Sequence, residues 1–236
     1  AGIVSCLISG AGAYLLPHFS TGEVWKLITE RGCSIMNGVP SMFLSIVRKG
    51  KVPNTVAVAL KSGIIAGSPI IKEDYLEIIK KFPEMRLQPS YGQTETSPCV
   101  SIADWDEPPF IKAESSGRVI EGVEVRIAYT EFASNTSRFK EGEIQVKGYN
   151  VMQGYYNLEN ETKECFTEDG WLKTGDIGYF NNEGKLCISG RIKDIIIRGG
   201  ENISSMEIES LVRKFDCVKA AKVIGIPAGV IQEEPV

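Results

Sequence analysis

The chain has 236 residues, with 26 basic and 30 acidic side chains, a formal net charge of −4 and 43% hydrophobic residues. This composition is typical of a globular protein, and the acidic balance argues against a nucleic-acid binder, which usually carries a basic patch. No apolar run approaches the roughly 20 residues of a membrane-spanning helix. The six cysteines are scattered without a CxxC pair, which argues against a zinc knuckle or a disulfide scaffold and predicts reduced thiols in a cytoplasmic protein.

The termini and the one histidine give little direct evidence of function. The chain begins at Ala1 with no charged segment, so it does not start with a signal peptide and is expected to be a piece of a longer protein. A Ser-His-Asp or Cys-His mechanism would have to use His18. Nothing in its surroundings, LLPHFS, indicates a catalytic base, so an ordinary surface or core histidine is favoured.

The first 110 residues alternate apolar strands with helices. Helical spacing or capping signals predict helices over 20–32, 39–50 and 69–82, and apolar runs predict strands near 59–66 and 85–90. This alternation predicts an α/β sheet.

The pattern then changes twice. Alternating strands near 122–129, 141–148 and 184–190 predict a β-rich module over 111–190, with a small barrel as one form it can take. Residues 1–190 are thus predicted to form one large domain, and 191–236 the truncated start of a small α+β domain. In that segment Gly199-Gly200 predicts a hairpin, and Ser204 with Glu207 predicts a capping box that starts a helix.

The block Tyr91-Gly92-Gln93-Thr94-Glu95 follows a predicted strand, and ligands usually bind at strand ends in an α/β sheet. An aromatic ring can stack on a base, glycine permits close backbone approach, and a threonine hydroxyl can bond a phosphate oxygen. A glutamate can hold Mg²⁺, which prefers oxygen ligands and phosphates. The alternative is a glycine turn followed by a polar helix start.

Three further features are ambiguous when each is taken alone. Gly67-Ser68-Pro69 can offer backbone groups to an adenine edge, or it can be only a turn. Asp176, in a turn formed by Thr174-Gly175-Asp176, can accept two hydrogen bonds from a ribose diol, or it can cap that turn. Arg191 carries a fork of donors suited to ribose and phosphate oxygens, or it forms a surface ion pair with Asp194 or Glu201.

The order of four blocks resembles the adenylate-forming (AMP-binding) superfamily, and within it the acyl-CoA synthetases, or AMP-dependent fatty-acid and aryl CoA ligases. The blocks are YGQTE, GEIQVKGYNVMQGYYN, GWLKTGD and GRIKDIIIRGGENISSMEIE. The resemblance covers essentially the whole chain. It implies a large domain of mixed α/β sheet plus a β-rich module, followed by a small α+β domain, in a ligase of fatty acid metabolism.

The resemblance also implies a reaction and a set of roles. A carboxylic acid would attack ATP to give an acyl-adenylate and pyrophosphate, and CoA would then take the acyl group and release AMP, with Mg²⁺ required. The adenine would be surrounded by Tyr91, Gly92 and Gln93 and by Gly67, Ser68 and Pro69, while Thr94 would contact the α-phosphate and Glu95 would bind Mg²⁺. The ribose would be held by Asp176 and Arg191. The hinge of the small domain would be Lys193, and the loop facing CoA would contain Gly199 and Gly200.

Two parts of the family pattern are missing. The Ser/Thr/Gly-rich phosphate loop would lie before Ala1, and the catalytic lysine would lie beyond Val236. The chain therefore resembles the middle and early C-terminal part of a synthetase, and little or no adenylation is expected from it alone.

Two alternatives are open. A nonribosomal peptide adenylation domain usually reads YGPTE, so Gln93 and the GGENIS segment favour a CoA ligase. A non-catalytic nucleotide-binding or interaction module would not need a carboxylate for Mg²⁺, so the presence of Thr94, Glu95, Asp176 and Arg191 argues against it. The acid could be a medium-chain fatty acid or an aryl acid, and the candidate pocket walls are Cys99, Val100 and the apolar residues at and near Met42 and Phe43.

Overall fold

The computed structural model of the chain describes residues 2–49, 52–130, 139–215, 217–218 and 221–236. Two compact units are present: unit 1 comprises residues 1–94 and 101–117, and unit 2 comprises residues 95–100 and 118–236. None of the described helices is long and apolar enough to cross a membrane.

Unit 1 is built from helices and a small sheet. Its elements in chain order are α1 Gly2–Ser9, α2 Thr21–Arg31, α3 Pro40–Arg48, α4 Asn54–Ala59, β1 Ser62–Ile65, α5 Lys72–Lys81, β2 Arg86–Tyr91, β3 Ser101–Ile102 and α6 Pro109–Lys112. The three predicted helices and both predicted strands are present. The predicted end of the second helix at Gly50 lies outside the described residues.

The centre of unit 1 is a βαβ unit, which confirms the predicted α/β class. Strands β1 and β2 pair in parallel, with Ile65 opposite Pro89, and α5 connects them. Helix α5 has acidic residues in its first turn and basic residues in its last, and both interact favourably with the helix dipole. Strand β3 then pairs antiparallel with the end of β2.

One apolar cluster holds unit 1 together. Its fully buried members come from α3, α4, α5, the residues that directly follow α4 and α5, and β2. They include Phe43, Ile46, Val56, Leu60, Tyr75, Ile78, Phe82 and Leu87. Tyr75 brings a polar group into this cluster, and its hydroxyl donates to the Leu87 carbonyl at 2.7 Å. Burial raises the pKa of Tyr75 above its ordinary value of about 10.

The Tyr75 hydroxyl makes the stability of unit 1 depend on pH in the alkaline range. The unfolded chain releases this proton above about pH 10 while the folded chain keeps it, so the free energy of unfolding should fall as pH rises further. At neutral pH Tyr75→Phe should cost about 1 kcal/mol for the lost hydrogen bond. Urea unfolding of both proteins between neutral pH and pH of about 11 tests this, because the difference should shrink as pH rises. A constant difference over this range would contradict the assignment.

Unit 2 is rich in strands. Its elements in chain order are β4 Arg118–Val119, β5 Val123–Ala128, β6 Gly142–Gly148, α7 Glu159–Glu164, β7 Leu172–Phe180, β8 Leu186–Arg191, β9 Ile195–Arg198, β10 Glu201–Ser204, α8 Ser205–Val212, β11 Gly225–Pro227 and β12 Glu233–Pro235.

The main sheet of unit 2 is an open antiparallel meander, so the small barrel considered from the sequence is wrong. The strand order is β5-β6-β7-β8, with each strand paired to its neighbour in the chain. In the described residues the two outer strands do not pair with each other. A sheet of four strands buries one face without closing.

A second, two-stranded sheet carries the predicted hairpin. Strands β9 and β10 are antiparallel, and Gly199 and Gly200 join them with φ angles of 59° and 87°. Positive φ at both central residues is the geometry of a type I′ turn, which explains the Gly-Gly pair. The Ser204 hydroxyl accepts from the Glu207 amide at the start of α8, which is the serine half of the predicted capping box.

Candidate functional site

Asp176 and Arg191, predicted to act together, are brought together by the meander. They are directly opposite residues of β7 and β8. The Arg191 Nε donates to the Asp176 Oδ1 at 2.6 Å. The Asp176 side chain is 5% exposed while that of Arg191 is 46% exposed. The carboxylate is therefore held at a fixed point, and the guanidinium beside it is accessible to solvent.

A local irregularity in β7 creates this position. Between the pairs Glu143↔Ile177 and Gln145↔Lys173, β6 carries one residue and β7 carries residues 174–176. Such extra residues form a β-bulge, which re-aims side chains. The Thr174 hydroxyl fixes the bulge, because it donates to the Ile144 carbonyl at 2.7 Å and accepts from the Asp176 amide at 3.1 Å.

The prediction that Thr174-Gly175-Asp176 forms a turn between elements is wrong, since these residues lie inside the nine-residue strand β7. The backbone at Gly175 is nevertheless turn-like, as the sequence suggested. Gly175 has a φ of 69°, and its amide donates to Glu143 Oε1 at 3.2 Å. Strand pairing on either side keeps this turn-like sequence within the sheet as a bulge.

Glu95 lies in a short 3₁₀ helix, Thr94–Thr96, and its carboxylate contacts a tyrosine. The Tyr155 hydroxyl donates to Glu95 Oε1 at 2.7 Å. This hydrogen bond to a charged acceptor raises the pKa of Tyr155 to about 12. The phenol therefore stays protonated and remains a donor at neutral pH.

The backbone around Glu95 is held by a second segment of unit 2. The Met152 amide donates to the Glu95 carbonyl at 2.8 Å. The Asn150 side-chain amide donates to the carbonyls of Thr96 and Cys99 at 3.1 and 2.7 Å. Asn150 is 5% exposed, so these bonds are shielded from water.

The predicted adenine-side residues lie in unit 1, at one edge of its sheet. The parallel strands β1 and β2 end at the same edge, and Gly67-Ser68-Pro69 follows β1 while Tyr91 ends β2. Ligands of open α/β sheets bind beyond the carboxyl ends of the strands. Tyr91, Gly92 and Gln93 are partly exposed and Thr94 is exposed, so this block is accessible.

The predicted hinge and CoA-facing residues are exposed on unit 2. Lys193 lies in the 3₁₀ helix Ile192–Asp194, directly after Arg191 and β8. The Gly199 and Gly200 amides are engaged, because they donate to the Ile231 carbonyl at 2.8 Å and to the Gln232 side chain at 3.1 Å. The turn is therefore braced by the C-terminal end of the chain.

One part of the acyl-pocket hypothesis is wrong. Phe43 and Val100 have no exposed surface, and Phe43 belongs to the apolar core of unit 1. A helix residue with the right polarity for a pocket wall is indistinguishable in sequence from a core residue. Met42 and Cys99 are partly exposed and stay candidates.

Sequence reasoning missed Tyr155 and Asn150. Both lie in the block GEIQVKGYNVMQGYYN, which carries the family resemblance but no role assigned to a single residue. No local periodicity links them to Glu95, since the contact spans 60 residues of chain. The buried Asn150 Oδ1 has no hydrogen-bond partner among the described residues, which is uncommon for a buried polar atom.

Glu95 is the carboxylate that the resemblance assigns to the expected cation. Among the described residues no group of three or more His, Cys, Asp or Glu could hold a metal ion. Mg²⁺ is usually bound through one or two carboxylates together with substrate phosphates. Glu95 is partly exposed and already oriented, so it fits the role of one such carboxylate.

Known proteins similar to this chain point to one family. The sequence profile described as "AMP-binding enzyme" matches residues 1–156. The human medium-chain acyl-CoA ligase ACSF2, mitochondrial, is 35% identical over 236 residues, covering 99% of this chain and 38% of that protein. The acyl-CoA ligase SID4 of Ajellomyces capsulatus is 32% identical over 231 residues, covering 96% of this chain and 39% of that protein.

Solved structures agree on the fold. ATP-bound MatB from Rhodopseudomonas palustris has a TM-score of 0.86 at 27% identity, covering 99% of this chain and 45% of that one. The o-succinylbenzoate CoA synthetase MenE of Bacillus subtilis, in complex with ATP and magnesium, has a TM-score of 0.81 at 29% identity, covering 99% and 47%.

The matches cover nearly all of this chain but less than half of each relative. The family profile covers well over half of the chain, and the mixed α/β fold agrees with it. The chain belongs to the AMP-binding enzyme family, whose relatives here are adenylate-forming acyl-CoA ligases.

Proposed function

We propose that the full-length protein carrying this chain is an ATP-dependent acid–CoA ligase. The carboxylate oxygen of the acid attacks the α-phosphorus of ATP, the bond to the bridging oxygen breaks, and pyrophosphate leaves. The CoA thiol then attacks the acyl carbon of the adenylate, and AMP leaves as the acyl–oxygen bond breaks. The thiol proton is lost to solvent or a base.

The observation that carries this proposal is the buried Asp176 carboxylate fixed by Arg191 at 2.6 Å. A carboxylate accepts hydrogen bonds from both hydroxyls of a ribose diol, and these are strong because the acceptor is charged. Arg191, half-exposed, keeps donors available for ribose and phosphate oxygens. Substrate positioning of this kind supplies much of the catalysis when no histidine base takes part.

The adenine and phosphate roles stay with the block around Tyr91. Tyr91 would stack on adenine, with Gly92, Gln93 and the Gly67-Ser68-Pro69 turn around it. Thr94 would contact the α-phosphate. The parallel ends of β1 and β2 support the adenine part, because they place both segments at one edge of the sheet.

Glu95 would hold Mg²⁺, and the ion would neutralise charge on the phosphates of ATP. Its single carboxylate suits a cation whose remaining ligands are phosphate oxygens and water. The relative MenE was crystallised with ATP and magnesium, which supports this assignment by similarity.

The thioester half would use the C-terminal part of the chain. Lys193 would be the hinge on which the small domain turns between the two half-reactions, since its exposed 3₁₀ turn can absorb backbone change. The Gly199-Gly200 turn would border the path of CoA. No Cβ in either position would meet a neighbour within 4 Å, so the surface there is open.

The acid and the compartment remain part of the proposal. The human relative is named as a medium-chain ligase and as mitochondrial. Medium-chain fatty acids are therefore the first substrates to test, with aryl acids second. The scattered cysteines, without a CxxC pair, support a cytoplasmic location.

A panel of carboxylic acids tests the function on the full-length protein. We expect AMP release that depends on the acid, on Mg²⁺ and on CoA, together with an acyl-CoA product. Loading of an amino acid onto a carrier domain would favour the nonribosomal alternative. ATP binding without AMP release for every acid would favour the non-catalytic module.

The chain by itself should give little or no adenylation. It spans less than half of its relatives, and the resemblance places the family's phosphate loop and C-terminal lysine in the parts of them that it does not cover. Pyrophosphate exchange measured on the isolated chain and on the full-length protein checks this. A rate for the chain close to that of the full-length protein would contradict it.

A further inference from the structure

The Tyr155 phenol is the side chain that fixes the Glu95 carboxylate in unit 2. Its hydroxyl donates to Glu95 Oε1 at 2.7 Å, across 60 residues of sequence. Tyr155 is 38% exposed, and its hydroxyl is engaged by the Glu95 carboxylate. The role argued below rests on the proposed function, because it concerns the residue assigned to Mg²⁺.

The Glu95 backbone does not depend on this phenol. The Met152 amide holds the Glu95 carbonyl, and the Asn150 amide holds the next turn through Thr96 and Cys99. These three bonds place the 95–99 segment whether or not residue 155 carries a hydroxyl. The Tyr155 hydroxyl therefore acts on the orientation of the carboxylate and not on the fold of the segment.

Tyr155 is itself aimed by its neighbours. Its amide donates to the Thr162 hydroxyl at 2.9 Å, and that hydroxyl donates to the Leu158 carbonyl at 2.7 Å. Gly154 lets the chain pass close to Thr162, because a Cβ there would lie 2.7 Å from Thr162 Cγ2. This bracing against α7 gives the phenol a defined position.

We propose that Tyr155 is a positioning residue for cation binding: its hydroxyl holds Glu95 Oε1 and orients the carboxylate, whose other oxygen would be available to Mg²⁺. Partners that orient a metal-binding side chain save the cost of ordering it when the metal arrives. A free glutamate would lose side-chain entropy on binding Mg²⁺–ATP, whereas the Glu95 carboxylate is already ordered.

Tyr155→Phe in the full-length protein tests the proposal, since it removes one hydroxyl and keeps the ring. Loss of such a partner typically costs 10- to 100-fold in metal affinity, and we expect about 10-fold here because the site is partly exposed. The Mg²⁺ concentration that half-saturates ATP binding, measured by calorimetry, should rise by that factor. The loss of ATP affinity should be largest at limiting Mg²⁺ and shrink as Mg²⁺ approaches saturation, because the missing hydroxyl acts on cation affinity.

The matched control is Tyr156→Phe, an adjacent tyrosine that is 91% exposed. It should leave the Mg²⁺ dependence unchanged. The thermal unfolding midpoint of Tyr155→Phe should also stay close to wild type. A lowered midpoint with an equal loss at all Mg²⁺ concentrations would indicate a structural role and overturn the proposal.

Glu95→Gln separates this inference from the proposed function. If Glu95→Gln raises the Mg²⁺ requirement and Tyr155→Phe does not, the positioning role is wrong and the assignment of Glu95 stands. If Glu95→Gln leaves the Mg²⁺ requirement unchanged, the proposed metal site is wrong and the positioning role falls with it. In the double variant, Tyr155→Phe should add little to Glu95→Gln, because the two residues act through one carboxylate.

Discussion

Replacing Asp176 with alanine should lower the affinity of the full-length protein for ATP about 10- to 100-fold, as measured by calorimetry. The carboxylate is buried and fixed by Arg191, so it can accept from a ribose diol without first being ordered. A hydrogen bond to a charged group contributes about 1.5–3 kcal/mol, so the range corresponds to one of the two ribose bonds, and loss of both places the effect toward its upper end.

The fold should survive this change. Arg191 is 46% exposed, so water can solvate the guanidinium once its partner is gone. Glu121→Ala, at an exposed acid in the turn before β5, is the control for a general loss of negative charge and should bind ATP normally. Unchanged ATP affinity in a well-folded Asp176→Ala protein would show that the ribose assignment is wrong.

Local sequence signals were sufficient for the elements of unit 1. Helix α2 ends at Arg31 just before Gly32, and α5 places Tyr75 and Ile78 on one buried face, as the 3.6-residue spacing predicts. The strand–helix–strand order then leaves few arrangements, because a parallel pair needs a crossover. The α/β class could therefore be predicted without knowing any long-range contact.

The β-rich unit was harder because strand periodicity does not state how a sheet ends. Alternating residues predicted strands β5, β6 and β8, but the same pattern fits an open meander and a closed barrel. The bulge at residues 174–176 was unpredictable for a related reason. Gly and Asp are residue types that favour turns, and the pairing of β7 with both neighbouring strands keeps Thr174-Gly175-Asp176 in a strand.

The site was predictable as residue types and not as contacts. The acid at 176 and the base at 191 were paired from sequence order, and the β7–β8 register brings them to 2.6 Å. Tyr155 was missed because its partner lies 60 residues away, and a tyrosine in a polar segment carries no signal of its own. The order of motifs in a sequence identifies the residues of a site, but the contacts that hold those residues in place are seen only in the structure.

Gly63→Ala should destabilise the chain by about 3 kcal/mol or prevent folding of unit 1. Gly63 is the second residue of β1, and a Cβ there would lie 1.9 Å from the Met36 carbonyl oxygen. The obstacle is backbone, and that backbone is fixed. The Met36 amide donates to the Ser62 carbonyl at 3.1 Å, and the Gly38 amide donates to the Ile64 carbonyl at 3.0 Å.

Relief of the clash would therefore break the bonds between β1 and residues 34–38, next to the apolar core. Gly22→Ala is the matched control, since the same methyl group is added on helix α2 with nothing within 4 Å. That variant should gain roughly 0.4–1 kcal/mol, because alanine restricts the unfolded chain. Urea unfolding followed by circular dichroism compares the two. A Gly63→Ala protein within about 0.5 kcal/mol of wild type would mean that β1 and its neighbour can separate freely, and the close approach would then carry no constraint.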